Sequence, residues 1–150
     1  PAAVFCARCF LLLEERVGLI VDRVKLPHPG RVESRLHTFA DVTLGERRAL
    51  LQGEDSALNL VFDATVPGLL TSAATAPTTP TAPSATVLRW CTEGRAHDDV
   101  TLVTLLSPGI DDVTVTVGRQ EAAIHLVVEG PTWCRTLSLS DQLMPLDEEG

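Results

Sequence analysis

Short apolar segments recur along this chain, and turn residues separate them. In the clearest example, valines at positions 113, 115 and 117 alternate with threonines, and a turn at Gly118 leads into a second apolar segment over 122–129. Alternation with a period of two places successive side chains on opposite faces of a sheet. Strand signals at this spacing are typical of antiparallel sandwiches rather than of alternating helices and strands. The sequence therefore predicts an all-β fold, an antiparallel β-sandwich.

One segment, residues 100–106, is apolar on both faces of the strand that it would form. Such a strand is expected at the centre of a sheet that is covered from both sides. The length of 150 residues suits a single domain spanning 1–150, large enough to bury a core without disulfides. Aromatic residues make up only 4% of the chain and tyrosine is absent, so small aliphatic side chains and threonine must fill that core.

Residues 71–86, which read TSAATAPTTPTAPSAT, consist almost entirely of Thr, Ala, Pro and Ser. Such a segment has no apolar face to bury, and its prolines cannot donate hydrogen bonds to a strand ladder. We therefore predict one long Thr/Ala/Pro-rich loop, partly polyproline-like, inserted between two strands. A linker between two domains is the alternative, although the residues that follow resume the strand pattern.

Charged side chains interrupt the apolar pattern over residues 18–39. An apolar strand carrying Asp22 leads through PHPG into an alternating segment, which predicts a β-hairpin. With that loop length Asp22 faces Arg35, and Glu33 and His37 lie diagonally on the same face. These four side chains form a predicted polar face for binding an anion or a metal. A cross-strand salt bridge is the alternative, and it would contribute only about 0–1 kcal/mol if exposed.

Other groups of potential metal ligands are weaker signals. His97, Asp98 and Asp99 are adjacent, so on a strand they cannot all face one ion, and turn capping by the aspartates is the simpler interpretation. Asp111 and Asp112 follow a Pro-Gly turn in the same way. The sequence contains neither a G-x-S-x-G nucleophile elbow nor a phosphate loop. We therefore assign no catalytic or metal-binding residue and expect no cofactor in this chain.

The four cysteines do not form the framework of a disulfide-rich domain. Cys6 and Cys9 have the C-x-x-C spacing of metal and redox sites, but their odd separation on a strand points them to opposite faces. Buried free thiols are the predicted state. His125 lies between two apolar residues of a predicted strand and is expected to face solvent.

The formal net charge is −8 and the sequence isoelectric point is about 4.8. Nucleic acid is not an expected partner, because its recognition needs a basic face. An acidic polysaccharide is also repelled on average, except by a local basic patch such as Arg31, Arg35, Arg47 and Arg48. No run of about 20 apolar residues is present, so no membrane partner is predicted.

The first strand signal, over residues 2–13, begins without a cap, a signal sequence or an initiator methionine. We therefore expect the chain to be the C-terminal part of a longer protein. The last residues, 146–150, are mostly acidic and are expected to be frayed.

Three segments carry a resemblance to a known family. LIVDRV at 19–24 returns through a histidine-containing turn to RLHTF, ALNLVF at 57–62 precedes Asp63, and DVTLVTLLSPG occupies 99–109. Together they resemble the C-terminal β-sandwich of heparinase II/III-like polysaccharide lyases. In that family an α/α-toroid precedes the sandwich and supplies most of the tyrosine, histidine and asparagine side chains for β-elimination at a uronic acid. A His-x-His-type metal region lies near the sandwich start, and this sequence lacks both that motif and tyrosine.

The resemblance implies that this chain supports a preceding toroid, walls one side of a cleft for an acidic polysaccharide and is inactive alone. A divalent metal of the parent family would lie outside this chain, and the parent enzyme would be periplasmic or secreted. The alternatives are a free-standing carbohydrate-binding module and a structural interaction domain. A carbohydrate-binding module needs an exposed aromatic platform, whereas Trp90 and Trp133 are predicted to fill the core.

Overall fold

Strands provide the regular structure of the computed structural model, which describes residues 4–77, 79–109 and 112–146. Within these ranges the chain forms twelve strands and no helix, which confirms the prediction of an all-β fold. In chain order they are β1 (Phe5–Leu13), β2 (Val17–Gly30), β3 (Glu33–Thr38), β4 (Asp41–Leu44), β5 (Arg48–Gln52), β6 (Ala57–Ala64), β7 (Gly68–Ala74), β8 (Thr86–Thr92), β9 (His97–Pro108), β10 (Thr114–Gln120), β11 (Ala123–Glu129) and β12 (Cys134–Ser140).

The strands form three antiparallel sheets. A central sheet has six strands in the order β1-β2-β9-β6-β5-β4. Two sheets of three strands flank it, with the orders β3-β8-β7, the β8 sheet, and β10-β11-β12, the β11 sheet. Each flanking sheet shares a hydrophobic core with one face of the central sheet, so the sandwich has three layers. None of the described residues belongs to a helix long and apolar enough to cross a membrane.

Strand β9 lies inside the central sheet, between β2 and β6. Val103 and Leu105 pack into the core shared with the β11 sheet, whereas Val100 and Leu102 pack into the core shared with the β8 sheet. All four side chains are at most 2% exposed. The prediction that residues 100–106 form a central strand covered on both faces is confirmed.

Aliphatic side chains dominate both cores. The core against the β11 sheet consists of Val17, Leu19, Val21, Val61, Val103, Leu105, Val113, Val115, Val117, Ile124, Leu126, Val128, Leu139 and Leu143. The core against the β8 sheet consists of Ala49, Leu51, Leu60, Phe62, Leu70, Leu88, Trp90, Val100 and Leu102. Only Phe62 and Trp90 are aromatic among these residues, and Thr92, Thr101 and Thr104 are also buried. Small side chains and threonine therefore fill the interior, as predicted.

The two flanking sheets leave one part of the central sheet bare. Alternate residues of β1, among them Cys9 and Leu11, pack against the core under the β11 sheet. The residues between them point to the other face, where Cys6 and Arg8 line a cleft with β3 of the β8 sheet. Farther along the same face of β1, Phe10 and Leu12 are 69% and 70% exposed. We refer to these two side chains as the β1 face.

The predicted hairpin over residues 18–39 is wrong. Strand β2 continues through PHPG to Gly30 and pairs with β1 and β9, whereas β3 pairs with β8 in a different sheet. Beyond Lys25 the pairing with β1 has ended and the pairing with β9 shifts its register. Proline lacks an amide proton but is tolerated where a ladder ends or bulges. The PHPG segment is therefore an extended strand end, and the chain changes sheets after it.

The Thr/Ala/Pro-rich loop is shorter than predicted. Strand β7 extends to Ala74 and β8 begins at Thr86, so residues 71–74 pair with β8 and the connection covers 75–85. The Thr75 amide and hydroxyl both donate to the carbonyl of Ala85, which ties the two ends together. The segment therefore joins two neighbouring strands of the β8 sheet. Position 78 and the last four residues of the predicted frayed tail, 147–150, lie outside the described residues.

Gly68→Ala tests the packing of the core under the β8 sheet. A Cβ atom at position 68 would overlap the indole ring of the buried Trp90, and overpacking of this kind costs about 1–3 kcal/mol. We expect urea denaturation to show a free energy of unfolding lower by about 2 kcal/mol.

Gly118→Ala is the matched control, because a Cβ at that strand position meets no atom within 4 Å. It should change the free energy of unfolding by less than about 0.5 kcal/mol. Equal unfolding midpoints for Gly68→Ala and the wild type would contradict the close approach of β7 to the indole ring.

Candidate functional site

The four residues of the predicted polar face lie in two different sheets. Asp22, on β2 of the central sheet, is opposite Arg8 of β1 and accepts two hydrogen bonds from its guanidinium, at 2.5 and 2.9 Å. The other three residues lie on β3 of the β8 sheet. There Arg35 is opposite Arg89, so the predicted pairing of Asp22 with Arg35 is wrong.

Three of the four side chains nevertheless line one cleft. Asp22, Glu33 and Arg35 surround a space of about 210 Å³ between the central sheet and β3, together with Arg8. His37 is exposed farther along β3 and is not part of this lining. Arg35 donates a hydrogen bond to Glu33 and thereby lowers the pKa of that carboxyl. Each carboxylate in the cleft is therefore held by an arginine.

An ion-pair network around one buried arginine, which the sequence interpretation missed, joins the central sheet to the β11 sheet. Arg23 of β2 is only 2% exposed, and its Nε and Nη2 atoms donate to the two carboxylate oxygens of Asp99 at 3.1 and 2.9 Å. Arg119 of β10 donates to Asp99 at 2.6 Å and to Asp141 at 2.9 Å. Arg23 also donates to the backbone carbonyl of Asp141. These contacts fix the β11 sheet against β2 and β9.

The sequence contained one signal for this network. Arg23 shares a strand face with Leu19 and Val21, so the period of two places a guanidinium on a buried apolar face. A buried arginine requires charged or hydrogen-bonded partners. The identity of those partners was not readable, because Asp99 and Asp141 are 76 and 118 residues away.

Asp99 is ionised and fully occupied by its partners. Burial raises the pKa of Asp99, but hydrogen bonds from Arg23 and Arg119 outweigh that effect, and its pKa lies below the ordinary value. A carboxylate held in this way is a weak base and is not open to a metal. Its neighbour Asp98 is exposed on the opposite face of the strand, so the adjacent residues at 97–99 do not converge.

A buried carboxylate, that of Asp63, links β6 to β10. Asp63 accepts hydrogen bonds from the backbone amide of Val117 at 2.7 Å and from Arg47 at 2.8 Å. Arg48, the next residue, pairs with Asp112 at 3.2 Å. Two arginines of the predicted basic patch are therefore neutralised by aspartates.

The described part of the chain contains no cluster of metal-ligating side chains. No group of three or more His, Cys, Asp and Glu side chains lies close enough to hold an ion there. Asp111, the first residue of the second predicted acidic pair, lies outside the described residues.

The cysteines and His125 differ in part from their predictions. All four cysteines are free, and Cys6 and Cys9 point to opposite faces of β1 as predicted, but only Cys91 is buried. His125 is half-buried, with Nδ1 3.1 Å from the hydroxyl of Ser138 on β12, rather than facing solvent. Both differences arise because neighbouring strands, which the local pattern does not identify, determine which alternate residues are covered.

Of the two tryptophans, Trp90 lies in a core as predicted, whereas Trp133 is only partly covered. Trp90 is 5% exposed in the core under the β8 sheet, and Trp133 packs, partly buried, against the other core. The large exposed aromatic side chains among the described residues are instead two phenylalanines, Phe10 and Phe39. The described surface therefore has no tryptophan platform for stacking a sugar ring.

The fold is an antiparallel β-sandwich in which a six-stranded sheet separates two three-stranded sheets. No family model matches the sequence, and no curated protein matches it either. Several solved structures share the fold. One, described as a heparinase III, has a TM-score of 0.73 and 13% sequence identity over 90% of this chain and 23% of its own.

A second solved structure is a mutant of heparan sulfate lyase HepC from Pedobacter heparinus. It has a TM-score of 0.71 and 10% identity, over 90% of this chain and 24% of its own. At these identities the similarity is one of fold, and this chain spans about a quarter of the length of either protein. The resemblance to a β-sandwich domain of heparinase-type lyases, predicted from sequence motifs, is confirmed at the level of the fold.

Asp99→Asn tests the ion-pair network through the pH dependence of stability. Because the pKa of Asp99 is depressed in the folded chain, its contribution is present above the unfolded value, near 3.8, and is lost as the pH falls through the lower folded value. The wild type should therefore lose stability on acidification below about pH 5. The variant should be less stable by about 2 kcal/mol at neutral pH and decline less steeply.

Urea denaturation from neutral pH down to about pH 2 measures both effects. Asp98→Asn is the control, because it removes an exposed carboxylate from the adjacent position of the same strand. Parallel acid profiles for Asp99→Asn and the wild type would show that the network does not stabilise the fold.

Proposed function

We propose that this chain is the β-sandwich domain of a heparinase II/III-like polysaccharide lyase. It supports a catalytic α/α-toroid and walls one side of the cleft for an acidic polysaccharide. The observation that carries the proposal is the extent of the structural match. Nine-tenths of this chain superimposes on a domain that makes up only 23–24% of two lyases.

The charge arrangement supports a domain that does not catalyse elimination alone. β-Elimination at a uronic acid needs a base that removes the proton beside the carboxylate. Asp22, Asp63 and Asp99 each accept hydrogen bonds from an arginine. For Asp99 these bonds hold the pKa below its ordinary value, so its carboxylate is a weak base. The parent reaction therefore takes its acid and base from the toroid.

The β1 face supports the buttress role. Phe10 and Leu12 project from the bare part of the central sheet, and the half-buried Ile20 and Leu106 lie beside them on neighbouring strands. Contiguous exposed apolar side chains mark surfaces that another protein surface covers. We assign this face to the contact with the toroid.

The alternative is a free-standing carbohydrate-binding or structural interaction module. The buried Trp90 and half-buried Trp133 weigh against a sugar-stacking surface, whereas the β1 face suits an interaction domain as well as it suits a buttress. The lyase domain and the free-standing module are distinguished by one observation: whether the full-length protein contains a toroid that packs against the β1 face.

The 150-residue chain alone should not cleave polysaccharide. With heparan sulfate, alginate or hyaluronan it should give no increase in ultraviolet absorbance, the signal of the unsaturated sugar that β-elimination leaves. An active heparinase III in the same buffer is the positive control. Measurable turnover by the isolated chain would overturn the assignment of the chemistry to another domain.

A double variant, Phe10→Ser with Leu12→Ser, tests the contact with the toroid. In the isolated chain it should change the free energy of unfolding by less than about 0.5 kcal/mol, because both side chains are already exposed. In the full-length protein it should destabilise the docked state by about 3 kcal/mol, the cost of removing two buried apolar side chains from a contact. Differential scanning calorimetry would then show the two domains unfolding separately.

Phe39→Ser is the matched control, because Phe39 is 75% exposed but lies away from β1, in the connection between β3 and β4. It should leave the domains coupled. Loss of coupling in the control, or its retention in the double variant, would remove the β1 face as the docking surface.

A further inference from the structure

A cavity on the β8 sheet gathers arginines that the sequence keeps far apart. It has a volume of about 470 Å³ and is lined by Arg31, Arg89 and Arg95, with Glu93 as the only acidic residue of its described lining. We call this cavity the arginine pocket. Volumes of this order hold one small ligand or a sugar unit. The whole chain, by contrast, carries a net charge of −8.

Strand pairing explains why the arginines converge. In β8, Leu88 and Trp90 point into the core, so Arg89 and Cys91 point to the outer face of the sheet. Arg31 precedes β3 and reaches over this face, where its Nε donates to the sulfur of Cys91. Arg95 lies in the turn that follows β8. Three separate segments thus supply the positive charges.

The arginines retain hydrogen-bonding capacity. Arg95 is exposed and has no hydrogen-bond or ion-pair partner within the described ranges. The Nε atom of Arg89 is buried and makes no hydrogen bond. Glu33 Oε1 lies 3.1 Å away and forms an ion pair with it, but the N–H group does not point at that oxygen. Arg31 uses Nε for the sulfur contact and interacts electrostatically with Glu33, but its two terminal nitrogens have no hydrogen-bond partner among the described residues.

This combination matches an oxyanion. Three guanidiniums repel one another, and the nearby Glu33 and Glu93 compensate only in part. A planar guanidinium donates in a fixed fork that fits sulfate or carboxylate oxygens. Thr71 and Thr92 line the same cavity, but their hydroxyls are already hydrogen-bonded to the backbone of Arg89 and Val32, so the arginines are the groups that would bind an anion. A bound anion would therefore relieve the repulsion and accept hydrogen bonds from the unused donors of Arg31 and Arg95.

We propose that the arginine pocket binds a sulfate or carboxylate group of an acidic polysaccharide. The choice of a polysaccharide as the source of the anion rests on the proposed function, whereas the anion site rests on the three arginines alone. The pocket gives the domain a polysaccharide contact of its own on a surface separate from the β1 face. A chain with a net charge of −8 repels an acidic polymer on average, and the local positive charge of the pocket would overcome that repulsion at this site.

Calorimetric titration of the 150-residue chain with a heparin-derived tetrasaccharide tests the site. Arg95→Gln should weaken binding about tenfold, as expected for one lost charge-assisted hydrogen bond, and Arg31→Gln should act similarly. Affinity should also fall with added salt. Arg48→Gln is the control, because it removes the same charge from an arginine paired with Asp112, and it should change affinity by less than about twofold.

Two further ligands identify the source of the anion. Inorganic sulfate should bind more weakly than the tetrasaccharide, and a desulfated, carboxyl-reduced tetrasaccharide should not bind. Equal affinity for inorganic sulfate and the tetrasaccharide would overturn the polysaccharide and leave a site for a free anion. Undiminished tetrasaccharide binding by Arg95→Gln and Arg31→Gln, with native circular dichroism, would overturn the pocket itself.

The arginine pocket and the proposed lyase function can fail independently. A full-length protein without lyase activity, whose pocket still binds the tetrasaccharide in an arginine-dependent way, would reject the lyase and retain the pocket. An active lyase whose affinity is indifferent to Arg95→Gln would retain the proposed function and reject the pocket.

Discussion

Strand β9 is buried on both faces, and the layered structure depends on it. A strand with apolar side chains on both sides needs a cover on each face and a paired strand on each edge. The fold supplies β2 and β6 as neighbours and the two flanking sheets as covers. Removal of either cover would expose half of β9 to water at about 25 cal/mol per Å² of apolar surface. Both hydrophobic cores therefore meet at this strand.

Buried charges hold the layers in one arrangement. Aliphatic surfaces of similar shape can slide past one another, whereas Arg23 and Asp63 must each meet specific partners or pay a large desolvation cost. Arg23 reaches Asp99 within the central sheet and Asp141 in the turn that follows β12. Asp63 reaches the amide of Val117 on β10. The contacts to Asp141 and Val117 therefore cross from the central sheet to the β11 sheet or its adjoining turn. The same pairing occupies the acids that could have served as bases.

Two parts of the surface have no partner within the fold. One is apolar and the other is positively charged. The β1 face is apolar, and both of its side chains are largely exposed. The arginine pocket is cationic because three segments converge on the outer face of that sheet. An apolar contact favours a lasting association with another domain, whereas a cationic site favours exchange with a soluble anion. A domain that is docked on one side and holds polymer on another would use both.

The sequence by itself determined the all-β class, the two-sided burial at residues 100–106, the core position of Trp90 and the opposite faces of Cys6 and Cys9. Each follows from the period of two along a single strand, which is a local property. Only the tertiary structure decided that β2 pairs with β1 and β9 instead of β3, because the register depends on which distant strands fill each edge. The partners of Arg23 and the arginine pocket were decided in the same way, since their members meet only after three sheets have packed.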